Sequence, residues 1–202
     1  MNPWAIGLLA YLVLAIGTFG PAAWKLVKPV RLHPGGPSFD DSPHFSDEAK
    51  LQLNQNVQRI QGTLQFWKAR AERFRAVHIY SLFWTVLSAT SVPILAQAVT
   101  SDPWSKWLLT VISGHAAIML GVMRAFRVES NYRSFRDGES DYYDLYRRML
   151  DNPRSFGSTE ADQLRKYFDQ VELVRRVVRA AETDNFPSVE DVAKGVQRGA
   201  DE

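Results

Sequence analysis

The sequence predicts an all-α membrane protein with three transmembrane helices. The second and third helices are expected to continue as an antiparallel helical stalk in the cytoplasm, followed by one further cytoplasmic helix. Two observations lead to this prediction. Three segments contain no Asp, Glu, Lys or Arg, although 23% of all residues are charged and the mean hydropathy is only −0.22. Beside two of these segments, apolar residues recur in alternating steps of four and three, which indicates helices that pack along a seam.

The uncharged segments are long enough to cross a bilayer. They lie near residues 4–24, 77–100 and 107–126, and the third is uncharged up to Arg124. A hydrocarbon core of about 30 Å requires about 20 mostly apolar helical residues, so the first two segments span it, while the third needs Ala125 and Phe126 to complete the crossing. Residues 1–28 are therefore expected to form an N-terminal transmembrane anchor.

The basic residues predict the orientation of the anchor in the membrane. Lys25, Lys28 and Arg31 follow the first segment instead of preceding it, which favours an anchor over a cleaved signal peptide. Lys and Arg favour the cytoplasmic side of a membrane. We therefore expect the N-terminus outside and, after three crossings, the C-terminus in the cytoplasm.

A Pro/Gly-rich stretch over residues 29–45 predicts a cytoplasmic linker between the anchor and a long-helix hairpin over 46–152. Ser46 is a predicted helix start, because a hydroxyl can cap free N–H groups and acidic residues follow it. From there the helix is expected to run to about Thr100, with Pro93 as a kink inside the membrane.

The stalk is predicted from two seams that leave the same face of the membrane. Since helices joined by a short loop run antiparallel, Leu64 and Trp67 are expected to face Phe135 and Glu139. The acid in this apolar row requires a partner, and Lys68 is the first candidate. The seam residues are Leu53, Val57, Ile60, Leu64, Trp67, Ala71 and Phe74 on one helix, and Val128, Tyr132, Phe135, Glu139, Tyr142, Tyr146 and Met149 on the other.

The last predicted domain covers residues 153–202. It is expected to contain a cytoplasmic helix from Thr159 to about Thr183, followed by a frayed or short-helical tail. Five basic residues on this helix favour a solvated face, with a phosphate ligand or anionic lipid heads as the alternative.

The sequence carries no motif of an enzyme. It has no phosphate-binding loop, no nucleophile elbow and no cluster of metal-binding spacing, and it has no cysteine. The formal net charge of +2 is too small to predict nucleic-acid binding. We therefore expect no catalytic residues, no cofactor, no metal and no nucleic-acid partner.

Two faces inside the membrane are candidates for function. The seam of the second helix continues as His78, Ser81, Thr85 and Ser88, and this polar face either packs against neighbouring helices or lines a water-filled path in an oligomer. The third segment repeats small residues every four positions, which allows close approach of another helix. These residues are Ser113, Ala117, Gly121 and Ala125.

The stretch from about Leu64 to Val178 resembles the SLATT family. The resemblance rests on the basic, alanine-punctuated helix Ala69–Arg75, on Phe126-Arg127 and Tyr132-Arg133, and on Glu139 followed by Tyr142, Tyr143 and Tyr146. SLATT proteins are two-transmembrane effector domains found beside bacterial nucleotide-synthase and SLOG-type sensor genes. The first span and the linker of this chain depart from that two-span pattern.

The resemblance implies a function and a location. It implies a homo-oligomer in the bacterial inner membrane that forms pores or perturbs the bilayer in a conflict or antiphage defence system, with a nucleotide-signal sensor or synthase as a possible partner system. The rival hypothesis is a non-conducting scaffold or sensor whose stalk docks a cytosolic partner protein.

Overall fold

The computed structural model describes residues 2–32 and 37–185, and within these ranges the chain is helical, with no strand. The α-helices are α1 (Pro3–Val27), α2 (Asp47–Ala98), α3 (Pro103–Ala125), α4 (Val128–Asp151) and α5 (Glu160–Asn185), with 3₁₀ turns at Phe39–Asp41 and Pro153–Ser155. The predicted all-α class is confirmed. The predicted linker residues 33–36 and the predicted tail over 186–202 lie outside the described residues.

Helices α1, α2 and α3 are each long and apolar enough to cross a membrane, which confirms that the three predicted segments lie on helices of sufficient length and hydropathy. Helix α2 extends well beyond its apolar part, with 52 residues in one uninterrupted element. By contact, the chain divides into two compact units. We call residues 2–28 and 72–130 the span unit, and residues 29–71 and 131–184 the helical unit.

Helices α1 and α3 begin with the same local structure, an acidic or amide side chain followed by Pro-Trp. Asn2 and Asp102 each accept a hydrogen bond from the backbone N–H two residues on, at 2.9 Å, and the proline takes the first helical position, where no donor is needed. The side-chain amide of Asn2 also donates to the carboxylate of Asp102. The N-termini of α1 and α3 are therefore tied together at one end of the span unit.

Helices α3 and α4 are separate, whereas the sequence predicted one continuous helix from the third span to about Asn152. Arg127 has a φ of +41°, in the left-handed region. The Phe126 N–H still donates to the Val122 carbonyl at 3.1 Å, four residues back. The Arg127 N–H instead donates to the Arg124 carbonyl, three residues back, at 3.2 Å. A left-handed residue after the last helical turn ends a helix in this way, and α4 starts anew at Val128.

The helical unit is built around the predicted seam residues of α2 and α4. The helices approach closely at Gly138, because a Cβ placed on it would lie 3.5 Å from the Trp67 ring and 2.2 Å from Cγ2 of Val178 on α5. The ring of Phe135 meets that of Phe66, with centroids 6.0 Å apart. Leu53, Ile60, Leu64, Trp67, Phe135, Glu139, Tyr142 and Met149 are buried, while Val57, Phe74, Tyr132 and Tyr146 are half-buried.

Glu139 is only 5% exposed, and its partner is Arg136 on the same helix, at 2.9 Å, instead of the expected Lys68. A residue three positions earlier on a helix faces the same side. Arg136 therefore reaches the carboxylate while its own head remains in solvent.

Residues of the predicted linker contribute to the core of the helical unit. Phe39 is completely buried and packs edge-on against Phe45, Tyr146 and Tyr167. Nearby, burial raises the pKa of the Tyr142 hydroxyl to about 12. The linker thus has a packing role that its proline and glycine content did not reveal.

The starts of α2 and α5 are joined in the helical unit. The backbone N–H of Ser46 donates to one carboxylate oxygen of Glu160 at 2.8 Å, and its hydroxyl donates to the other at 2.7 Å. The same hydroxyl accepts from the Ala49 N–H, as expected of the predicted cap. Thr159, the cap predicted for the last helix, accepts from the Asp162 N–H.

Candidate functional site

The candidate site is the interior of the span unit, where the polar face of α2 meets α1 and α3. Ser81 and Ser88 are buried, at 0% and 1% exposure, whereas His78 and Thr85 are half-buried. Trp84, which the sequence analysis did not single out, is 1% exposed. The innermost row of α2 is therefore Ser81, Trp84 and Ser88, with Thr85 at its edge.

A chain of hydrogen bonds passes through His115 and links all three spans. The Tyr11 hydroxyl lies 2.6 Å from Nδ1 of His115, and the Tyr80 hydroxyl lies 3.3 Å from Nε2. Tyr80 also donates to the Ala15 carbonyl at 3.2 Å. A hydroxyl has one proton to donate, so Tyr80 accepts from Nε2–H, and Nδ1 accepts from Tyr11. A neutral His115 protonated on Nε2 satisfies all of these contacts.

A second interaction fastens α1 to α2. The indole N–H of Trp84 donates to the Thr18 hydroxyl at 3.0 Å, and Thr18 donates in turn to the Leu14 carbonyl at 2.7 Å. The Trp84 ring also packs edge-on against Tyr11, with centroids 5.1 Å apart, and lies 5.4 Å from His115. The polar tips of these buried aromatic residues are thus paired, as an apolar environment requires.

Two polar atoms of the predicted face are buried without a hydrogen-bond partner among the described residues. They are Oγ of Ser88 and Nδ1 of His78. Tyr11 lies close enough to Ser88 for an electrostatic interaction, and its oxygen can accept as well as donate. Among the described residues, however, the Ser88 hydroxyl makes no hydrogen bond of normal geometry. Ser81 has only the thioether of Met119, at 3.6 Å. Such groups are costly in an apolar surrounding, so this face is more polar than helix packing requires.

A cleft of about 380 Å³ opens beside Ser88. Gly7 and Tyr11 of α1, Ser88 and Ser91 of α2, and Leu108 and Ile112 of α3 contribute to its lining. Apart from the hydroxyls of Tyr11, Ser88 and Ser91, its wall is apolar. The cleft therefore combines an apolar surface with a few hydroxyl groups inside the span unit.

Pro93 lies one turn beyond Ser88, and α2 continues through it as a helix. The ring removes the backbone donor for the carbonyl four residues earlier. Just before it, Ser91 donates to the Leu87 carbonyl at 2.6 Å and Thr90 donates to the Val86 carbonyl at 3.1 Å. Side-chain bonds of this kind weaken the backbone bonding of a helix locally, so the turn before Pro93 is a weakened part of the apolar segment of α2.

The predicted close-packing face of α3 lies on the surface of the chain. Ser113, Ala117, Gly121 and Ala125 are all exposed, and a Cβ on Gly121 would meet nothing within 4 Å. The described helices of the chain therefore do not pack against this face.

The sequence analysis missed Tyr11, Trp84 and His115 as a group. Tyr80, Trp84 and Ser88 recur every four residues, and Tyr11 and Thr18 are seven apart on α1, which is the available signal. That signal shows which residues share a face, but not which faces meet.

The described residues contain no group of three or more His, Asp or Glu side chains that could hold a metal ion. Comparisons with protein-family models, with curated proteins and with solved structures find no match to this chain. The fold and the site thus define an all-helical protein with three candidate membrane spans and a polar, aromatic-lined interior.

Proposed function

We propose that this protein is a non-enzymatic, homo-oligomeric effector of the bacterial inner membrane that permeabilises the bilayer, as its resemblance to the SLATT family implies. In this proposal the N-terminus is outside, the helical unit is cytoplasmic, and the activating signal comes from a nucleotide-signal sensor or synthase of a defence system. The observation that supports it most is the polar interior of the span unit.

Transmembrane helices that serve only as an anchor do not require a polar interior. Leucine-rich spans hold a chain in a bilayer at no polar cost, whereas buried hydroxyl, indole and imidazole groups must each be satisfied. Here Ser88 and His78 keep polar atoms without partners. Polar groups at this depth mark conducting or gating elements in many membrane proteins, and we assign that role to this face.

The arrangement described above corresponds to a closed form. Helix α1 covers the polar face through Tyr11 and Thr18. A water-filled path along α2 requires α1 to separate from it. The weakened turn before Pro93 is the natural hinge for that movement.

The exposed small-residue face of α3 is the observation that supports a homo-oligomer. Small residues let two membrane helices approach closely enough for backbone contacts. Because this face is unoccupied within the chain, a second copy is its partner in our proposal.

Dye release from liposomes and conductance in planar bilayers test the proposal directly. The full chain should conduct, and Thr85→Phe should reduce conductance because the ring narrows the path at the edge of the polar face. Val86→Phe is the matched control, since the neighbouring Val86 is exposed on the lipid side. Pro93→Ala should alter open probability without changing oligomer size.

A non-conducting scaffold or sensor is the second candidate. It is favoured by the hydrogen bonds that link Tyr11, His115 and Tyr80, because they hold the three spans of a single protein molecule together around the polar interior. A scaffold gives no conductance at any concentration or with any nucleotide added, and Thr85→Phe then leaves its activity in cells unchanged. That pair of results would replace the pore proposal with this one.

A further inference from the structure

The cleft beside Ser88 is bounded by all three spans. Gly7 provides the floor on α1, where a Cβ would still be 3.6 Å from the nearest Leu108 atom. Leu108 and Ile112 of α3 also line the cleft. At about 380 Å³ the cleft lies at the small end of the range of about 300–1,000 Å³ that is usual for ligand pockets.

The polar groups of this cleft are not equivalent. Tyr11 donates its proton to His115, and Ser91 donates to the Leu87 carbonyl. Ser88 is 1% exposed, and its hydroxyl has no hydrogen-bond partner in the part of the chain that the structure describes. The cleft therefore offers one uncommitted donor in an apolar wall, and such a donor is satisfied by an acceptor oxygen.

We propose that this cleft is a binding site for a lipid-soluble carbonyl compound, a quinone-like molecule whose ring packs on Leu108 and Ile112 and whose oxygen accepts from Ser88. The site goes beyond the proposed function, because it requires neither conduction nor an oligomer. It makes the chain a receptor for a solute dissolved in the membrane.

The depth of Ser88 distinguishes such a solute from the ester carbonyl of a phospholipid. Arg75 is the last charged residue before the apolar part of α2, and Ser88 lies about 20 Å further along the helix at about 1.5 Å per residue. Within a core of about 30 Å, that position is nearer the middle than either interface, where ester groups lie.

Equilibrium dialysis of radiolabelled menadione, a lipid-soluble naphthoquinone, against the full chain in nanodiscs tests the site. Saturable binding above empty nanodiscs is expected. Ser88→Ala should weaken it about fivefold, the effect of one ordinary hydrogen bond. Ser91→Ala should leave it unchanged, since that hydroxyl is already used by its own helix. Gly7→Leu should abolish it by filling the cleft, with helicity and melting temperature checked for each variant.

Three results would overturn the proposal. Binding that does not saturate, or that is equal in Ser88→Ala and Gly7→Leu, means simple partitioning into lipid. Binding that becomes more than tenfold tighter in ether-linked lipids, which lack ester carbonyls, means that a phospholipid normally fills the cleft. A change of oligomeric state in Gly7→Leu means that a second copy covers it. Equal affinity in ester- and ether-linked lipids supports the assignment.

Discussion

Gly138 lies where α2, α4 and α5 approach one another closely in the helical unit. Its replacement by alanine would place a methyl group 2.2 Å from Cγ2 of Val178 and against the face of Trp67. A β-branched side chain on a packed helix cannot move aside easily. The sequence alone presents this glycine as a helix-weakening residue, while the structure gives it a packing reason.

We predict that Gly138→Ala destabilises the helical unit by about 1–3 kcal/mol, the usual cost of overpacking. Gly62→Ala is the matched control on α2, because a Cβ there meets nothing within 4 Å, and it should stabilise by about 0.5–1 kcal/mol. Urea unfolding followed by far-UV circular dichroism measures both. Adding Val178→Ala to Gly138→Ala should recover part of the loss, and equal effects of the two single variants would contradict the packing argument.

The partner of Glu139 also shows what spacing can reveal at the residue scale. The seam places this acid among apolar residues, and the structure buries it there. Periodicity does not determine which basic side chain forms an ion pair with Glu139. Lys68 on the facing helix and Arg136 on its own helix both satisfied the pattern, and side-chain reach favoured the neighbour on the same helix.

At the scale of elements, the break between α3 and α4 depends on Arg127. No glycine or proline marks it, so the sequence predicted a continuous helix. A residue with a side chain costs about 1–2 kcal/mol in the left-handed region. The surrounding packing must therefore hold Arg127 in place.

A pair of substitutions isolates this backbone cost. Arg127→Gly and Arg127→Ala both remove the side chain and its interactions, but only alanine keeps the left-handed penalty. The glycine variant should be more stable than the alanine variant by about 1 kcal/mol in thermal unfolding in detergent. The reverse order would mean that the helix does not break at this residue.

The contact between the starts of α2 and α5 carries a pH dependence. Hydrogen bonds from Ser46 lower the pKa of Glu160 below its usual value of 4.5. A carboxyl whose folded-state pKa is depressed contributes stability that is present above its unfolded-state pKa and lost as the pH falls through its folded-state pKa. This contribution is therefore complete at neutral pH.

Glu160→Gln should consequently lower the melting temperature of the protein at pH 7 and have no effect on it once the pH is below the folded-state pKa of Glu160. Circular dichroism melts of both proteins between pH 7 and pH 3 measure the difference. Asp169→Asn controls for the loss of a surface charge on the same helix. A melting-temperature difference that stays constant across this range would rule out the ionised contact.

At the scale of the whole molecule, the positions of basic residues determine the proposed orientation. Green fluorescent protein fused after Glu202 should fluoresce, because it folds in the cytoplasm. Alkaline phosphatase at the same site should be inactive, and inserted between α2 and α3 at Thr100 it should be active. Phosphatase activity at Glu202 would overturn the proposal that the N-terminus is outside, and with it the cytoplasmic assignment of the helical unit.

The spans and the helical class were predictable because both depend on local composition. A stretch without charge and a period of 3.6 residues are visible in the sequence without knowledge of any neighbour. The group of Tyr11, Trp84 and His115 was not, because it depends on how three helices are rotated about their axes. Phe39 was missed for a similar reason, since a single aromatic residue in a proline-rich stretch has no periodicity to reveal its burial.

The helical unit draws on two stretches of chain, 29–71 and 131–184, that are separated by the second and third spans. The first stretch leaves the ribosome before the second, so the apolar side chains of Leu53 and Trp67 lack the residues of α4 and α5 while residues 72–130 are being synthesised. The unit can therefore be completed only after both intervening helices have been made. A chain that ends before α4 keeps these side chains exposed to chaperones and proteases, which allows the cell to recognise incomplete copies.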